Sequence, residues 1–161
     1  MEKKIKSKLQ NKNKPEIRWL KLIFCFIIVY FIAFLGSLFT DTSGWYESVK
    51  PSITPPNIVF PIVWNILFFL IAISLYLILM SRKERLIWLI EANLLFNIFW
   101  SILFFGLKLP VLAFVDLILL LLSIILIILF SWKIDKRVSY LMLPYFLWII
   151  FAGILNYLIA F

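Results

Sequence analysis

Apolar residues fall in five long blocks separated by short polar breaks, and that alternation sets the architecture before any single residue is considered. The blocks cover residues 22–39, 58–80, 86–105, 111–132 and 139–161. Each is close to the roughly 20 residues that an α-helix needs to cross a hydrocarbon core of ~30 Å. Lipid offers no partner for backbone N–H and C=O groups, so runs of this length must be helices. The expected fold class is an all-α integral membrane protein, a five-transmembrane-helix bundle. The breaks carry the charge: Arg82-Lys83-Glu84-Arg85, then Lys108 between Gly106 and Pro110, then Lys133, Asp135, Lys136 and Arg137. Residues 1–21 form a basic tail ahead of a membrane domain over 22–161. A basic tail followed by an apolar run resembles a signal peptide, but this run is long for one and no A-x-A-like site closes it. It is read as a retained first helix. No internal repeat or soluble domain is visible.

One break is different. Between the first two blocks lie the aromatic pair Trp45-Tyr46 and then Pro51, Pro55 and Pro56. Proline fixes φ and holds the preceding residue extended, so Lys50 to Pro56 is expected to be a stiff, non-helical lid. Below it the second helix carries Trp64-Asn65 about one turn inside. A rigid lid above an indole suggests a pocket for something flat and apolar.

Polar positions inside the blocks extend this picture. On the third helix Asn93, Asn97, Trp100 and Phe104 recur at i, i+4, i+7 and i+11, a single face. Asparagine in lipid must find a partner, so this face is expected to look into the bundle, either bonding helix to helix or lining a cavity. On the fifth, Pro144, Trp148, Ala152 and Asn156 are spaced by four, with Tyr145 beside them. Trp19, Trp45, Trp88 and Trp132 fit the interfacial belt, which leaves Trp64, Trp100 and Trp148 as indoles for core packing or for a cavity wall. Two carboxylates, Glu91 and Asp116, fall within spans, where a charge is costly: each either relays protons or serves as a counter-charge, or else Glu91 snorkels to the interface and Asp116 is held neutral or hydrogen-bonded to a neighbouring helix.

Composition narrows the chemistry. The chain is 65% hydrophobic with a single cysteine and no histidine, and its mean hydropathy is +1.07. The usual haem and zinc ligand and the usual general base are therefore missing. No nucleophile triad, phosphate loop or metal spacing is present, which argues against a hydrolase, kinase or metalloenzyme. A net charge of +8 would suit nucleic acid, but its position in tail and loops points to lipid headgroups. All Lys and Arg except Lys50 and Lys108 lie in the tail and in the second-to-third and fourth-to-fifth breaks. The positive-inside rule then places the N-terminus in the cytoplasm, with the Trp45–Pro56 loop and the C-terminus outside the cell membrane.

These residues carry a specific resemblance. Trp45-Tyr46, Lys50-Pro51, Pro55-Pro56, Phe60, Val63-Trp64 and Tyr76 resemble the signature of the TspO/MBR family, the tryptophan-rich sensory proteins and mitochondrial translocator proteins. The likeness continues through Asn93, Asn97, Trp100-Ser101, Phe104-Phe105, Ala113 and Asp116-Leu117 to Leu143-Pro144-Tyr145, Trp148, Phe151-Ala152 and Leu155-Asn156. It implies a five-helix bundle, often a homodimer, with a pocket under the first loop. Family members bind protoporphyrin IX, haem, and isoquinoline carboxamide or benzodiazepine-type drugs. Carried over by position, the ligand-lining residues are Tyr46, Trp64, Phe68, Asn93, Asn97, Trp148 and Ala152, under a lid holding Pro51, Pro55 and Pro56. Some bacterial members degrade protoporphyrin IX in light, a catalytic role that would fall here to Trp64 and Trp148.

The chain also departs from the family pattern. Ile53 stands where a lid tryptophan is usual, and Ala72 where the second helix often has glycine. Tyr157 lacks the following basic residue of the cholesterol motif, so cholesterol transport is not expected. No glycine lies between Leu86 and Phe105, which removes a GxxxG-type dimer face there. The expected function is porphyrin or tetrapyrrole binding for sensing, transport or stress regulation, with no required cofactor and the bilayer as constant partner. The alternative is light-dependent oxidation of protoporphyrin IX. A proton-coupled transporter using Glu91 and Asp116 ranks third, because five helices without a repeat do not match the inverted-repeat plan.

Overall fold

The computed structural model describes residues 18–161. Of the expected basic tail, residues 1–17 lie outside the described residues. The elements are α1 (Trp19–Ser37), α2 (Trp45–Val49), α3 (Val59–Ser81), α4 (Glu84–Ser101), α5 (Pro110–Trp132) and α6 (Lys136–Ala160). A π-helical turn, Ile102–Gly106, extends α4. All but α2 are long and apolar enough to cross a membrane, which agrees with the five expected spans.

The helix ends follow from local chemistry. Pro110 opens α5 at a position where its missing N–H costs nothing. Asp135 accepts the Arg137 backbone N–H at 3.0 Å and so caps α6. That cap starts α6 at Lys136, three residues ahead of the expected 139, because the cap recruits two charged residues that the apolar pattern assigned to the loop. Pro144 lies inside α6 without ending it. In a bundle, neighbouring helices hold such a segment in place. The loop before α3 also differs from expectation. Its Lys50–Pro56 portion is non-helical as read from the prolines, but Trp45–Val49 just before it winds into the short helix α2.

Around the bundle the spans neighbour one another in the order α1, α3, α6, α5, α4 and back to α1. Lipid tails are as apolar as leucine, so side-chain packing and internal hydrogen bonds must hold the helices together. The core is built from residues such as Ile71, Ala72, Ile124, Met142 and Ile149. Gly153 lets α6 approach α5 closely: a Cβ there would lie 3.2 Å from Leu117 Cδ2. Large apolar side chains including Leu20, Trp88 and Leu147 cover the outside, as a lipid-facing surface requires.

Polar groups inside the bundle pair across helices. Asn93 Nδ2 donates to Ser123 Oγ at 2.9 Å, and Asn97 Nδ2 to the Tyr145 hydroxyl at 3.0 Å. Trp100 Nε1 donates to Asn156 Oδ1 at 3.1 Å, and Asn156 Nδ2 in turn to the Pro110 carbonyl at 2.8 Å. Ser131 and Ser139 hydroxyls meet at 2.6 Å between α5 and α6. The asparagine face of the third predicted helix therefore turns inward, and its amides serve mainly to bond α4 to α5 and α6. Of the two intramembrane carboxylates, Asp116 is buried and Glu91 is exposed on the outer face of α4.

Candidate functional site: an aromatic cavity under the first loop

A cavity of about 500 Å³ lies between α1, α3 and the end of α4, roofed by the loop that holds α2. That volume is in the range of small-molecule sites, which are mostly apolar with a few placed polar groups. The wall from α3 holds Phe60, Trp64 and Phe68, the wall from α4 Asn97, Trp100 and Phe105, and α1 closes the third side. Among the described residues, no Lys, Arg, Asp or Glu lines it.

The roof is set by short-range bonds. Asp41 accepts from the Ser43 backbone N–H at 2.8 Å and from its hydroxyl at 2.6 Å. The Ser43 hydroxyl is the foremost cause of an Asp41 carboxyl held below its usual range. Gly44 follows with φ of 53°, a left-handed turn that favours glycine, and α2 starts there. Tyr46 is thereby turned down and buried, its ring 5.5 Å from Phe105 and 6.4 Å from Phe60. Burial pushes its phenol pKa up. Glu47 then clasps the roof to the start of α3: it accepts from Asn57 Nδ2 at 2.7 Å and pairs with Lys50 Nζ at 2.6 Å. The Lys50 and Asn57 contacts, in that order, hold the Glu47 carboxyl below its usual range.

The π-turn shapes the far wall. Leu107 N–H reaches back five residues to the Ile102 carbonyl at 2.8 Å, widening the turn by one residue. In a regular helix two adjacent residues point about 100° apart. Here Phe104 packs under Trp100, stacked at 5.2 Å and 13°, while Phe105 sits edge-on to the same indole at 5.7 Å. The Asn156 bond fixes the indole at its N–H edge. Across the cavity Trp64 stacks on Phe68 at 5.4 Å and meets Tyr145 edge-on at 6.2 Å. The cavity thus has two held indoles, Trp64 and Trp100, on different helices.

Of the ligand-lining residues expected from sequence, Tyr46, Trp64, Phe68 and Asn97 are brought together on this cavity. Asn93, Trp148 and Ala152 are not. Asn93 is fully buried one turn earlier on α4, away from the loop end, where it bonds to Ser123. Trp148 stands behind Phe60, edge-on at 5.9 Å, so Phe60 takes the lining position in its place. Ala152 is packed into the core from α6. Pro51, Pro55 and Pro56 shape the loop, but the roof over the cavity is made by Thr40, Thr42, Tyr46 and Asn57. Ile53, the residue in the lid tryptophan's place, is 55% exposed and off the lining.

Sequence reasoning missed the α1 wall, Phe60 as a lining residue, and Phe105. A signal for the first was present: Tyr30, Ala33, Ser37 and Thr40 fall at helical spacing and break an otherwise bulky face. Several lining residues, Phe34, Pro61 and Asn65 among them, are also exposed on the outside of the bundle. The cavity therefore opens sideways between α1 and α3. The Tyr30 hydroxyl donates to the Asn65 carbonyl at 3.2 Å across that opening.

Fold and cavity together define a small multi-helix membrane protein with an aromatic, uncharged ligand-sized chamber at one end. The TspO/MBR family model matches residues 24–161, and the chain belongs to that family. It is 42% identical over 146 residues to the tryptophan-rich protein TspO of Archaeoglobus fulgidus, covering 87% of this chain and 95% of that one. The proteins of the same name from Chlorobaculum tepidum and Bacillus cereus are each 36% identical, over 94% and 93% of their lengths and 87% and 85% of this chain. The chain is a multi-pass membrane protein.

Proposed function

We propose that the protein binds a planar tetrapyrrole, protoporphyrin IX or haem, in the cavity under the first loop, as part of sensing, transport or stress regulation. The observation that carries this reading is the pair of indoles, Trp64 and Trp100, facing one chamber of about 500 Å³ with Phe60, Phe68 and Phe105 between them. Indole and phenyl faces stack on a flat macrocycle and gain about 1 kcal/mol each beyond the area they bury. Asn97 and Ser101 offer the polar contacts. The macrocycle's carboxylates would face water at the loop end, where Lys50 and Lys108 are the nearby cations. In this reading the basic end of the bundle is cytoplasmic and the cavity lies toward the outer face. Isoquinoline carboxamide and benzodiazepine-type molecules fit the same uncharged chamber, and a second copy of the chain is a candidate partner.

With no histidine in the chain, iron gains no imidazole ligand, so metal-free porphyrin and haem should bind within about threefold of each other. A dark titration with both, followed by tryptophan fluorescence, tests this. Saturable quenching by both supports the reading, and a tenfold preference for haem overturns it.

A second reading, light-dependent oxidation of bound protoporphyrin IX by oxygen, draws on one contact. Trp64 faces the chamber and lies edge-on to Tyr145, which puts a second redox-capable ring beside the indole that would meet the macrocycle. Trp148 touches the chamber only through Phe60. Loss of photoproduct in Trp64→Phe with binding retained supports it, and unchanged photoproduct removes it.

A further inference from the structure

At the opposite end of the molecule from the aromatic cavity, the turn from α3 to α4 packs beside the end of α5 and leaves a cleft of about 360 Å³. One wall is cationic, from Arg82, Lys83 and Arg85, and the other is apolar, from Leu86, Phe130 and Ile134. Among the described residues, Glu84 is the one carboxylate in the lining. Arg85 is held in place: its guanidinium carbon lies 4.3 Å from the centre of the Phe130 ring, a cation–π contact that leaves the outward N–H groups for an anion. Among the described residues the ion pairs are Lys50–Glu47 and Arg137–Asp135, so none of the cleft's cations is matched by a described carboxylate. Lys83 begins α4 without a side-chain hydrogen bond to its first amides, and an uncapped helix start adds positive potential to the same cleft.

The cleft's depth matches a headgroup. It sits where three spans end, at the end of the bundle where Trp88, 71% exposed, and Trp132, 45% exposed, fit the membrane–water boundary. A soluble anion would use only the cationic wall. An amphiphile uses both.

We infer that this cleft is a binding site for the phosphodiester headgroup of an anionic membrane lipid, with Arg82 and Arg85 on the phosphate and the glycerol and first acyl carbons against Leu86, Phe130 and Ile134. The site is separate from the aromatic cavity and stands whether or not a tetrapyrrole binds there. Glu84 opposes the phosphate and limits affinity.

The test is a titration of detergent-purified full-length protein with dioctanoyl phosphatidylglycerol, read by native mass spectrometry. Dioctanoyl phosphatidylcholine and glycerol 3-phosphate form the comparison arms. Phosphatidylglycerol should bind one-to-one, and Arg82→Gln and Arg85→Gln should each weaken it about fivefold. Glu84→Gln should tighten it about twofold to fivefold, a gain that a misfolded variant would not give. Lys133→Gln removes the same charge at the same end outside the cleft and should change affinity by less than twofold. If Lys133→Gln weakens binding as much as Arg85→Gln, attraction is diffuse and the site is wrong. Equal binding of phosphatidylcholine would reduce the cleft to an apolar groove, and equal affinity for glycerol 3-phosphate would make it a site for soluble phosphate instead.

Discussion

The two sides of the bundle are joined by different chemistry. On the side of α4, α5 and α6, buried hydrogen bonds run helix to helix through Asn93–Ser123, Asn97–Tyr145, Trp100–Asn156–Pro110 and Ser131–Ser139. On the side of α1 and α3, the described cross-links are Tyr30 to the Asn65 carbonyl and, at the basic end, the Arg18 N–H to the Tyr76 hydroxyl. The cavity opens on that second side. A buried amide without its partner has no water to turn to, so the first side resists separation. The second is held by packing and by aromatic edges, which tolerate sliding. One half is a frame and the other a wall able to move.

The largest expected effect comes from breaking the frame. Asn156→Leu leaves the Trp100 indole N–H without a partner and takes from the Pro110 carbonyl the bond it accepts beside its helical one, and should lower stability by about 2 kcal/mol in an SDS-titration unfolding measurement. Tetrapyrrole affinity should fall with it, because Trp100 loses its anchor. Next in size is Trp64→Ala, which removes one stacking face. It should weaken protoporphyrin IX binding by roughly tenfold, read by quenching of the remaining tryptophans.

A smaller effect sharpens the comparison. Tyr30→Phe deletes the one side-chain hydrogen bond that the described residues make across the opening between α1 and α3, and should cost no more than about 0.6 kcal/mol of stability. Amide exchange in α1 should nevertheless rise more than in α5. Equal exchange in both would mean that the two sides are equally held. The smallest effect is the acid response of the roof. Glu47 has its pKa lowered in the folded protein, first by Lys50 and then by Asn57. Its contribution is therefore complete above the ordinary value of 4.5 and is lost as pH falls through the lowered native value. Proteolysis within the Lys50–Pro56 loop should quicken in that acid range, and Glu47→Gln should show the faster rate already at neutral pH.

The spans were legible because long apolar runs bounded by charge admit one backbone solution in lipid. The inward turn of Asn93, Asn97, Trp100 and Phe104 was legible for a related reason: helical spacing fixes which residues share a face. Spacing does not say what lies between a face and a cavity. Trp148 is directed into the bundle, but Phe60 from a helix distant in sequence reaches the chamber first. Asn93 shares the face of Asn97 yet lies a turn short of the cavity. The π-turn was hidden for another reason. Ile102–Gly106 has the composition of ordinary helix, and its extra residue arises where the chain must reverse into Pro110 while Phe104 and Phe105 both find aromatic neighbours. The α1 wall was overlooked because its small and hydroxylated positions are scattered among bulky ones.

The proposed site holds a macrocycle between α3 and the end of α4, against Trp64 and Trp100. The most direct measurement is a dark titration with protoporphyrin IX of the parent protein, Trp64→Phe, Trp100→Phe and Trp148→Phe, following tryptophan fluorescence. The expected result is saturable quenching in the parent, with affinity about fivefold weaker in Trp64→Phe and Trp100→Phe and within twofold of the parent in Trp148→Phe. Weakening confined to Trp148→Phe would place the ligand on the α6 side of Phe60 and contradict the site described here.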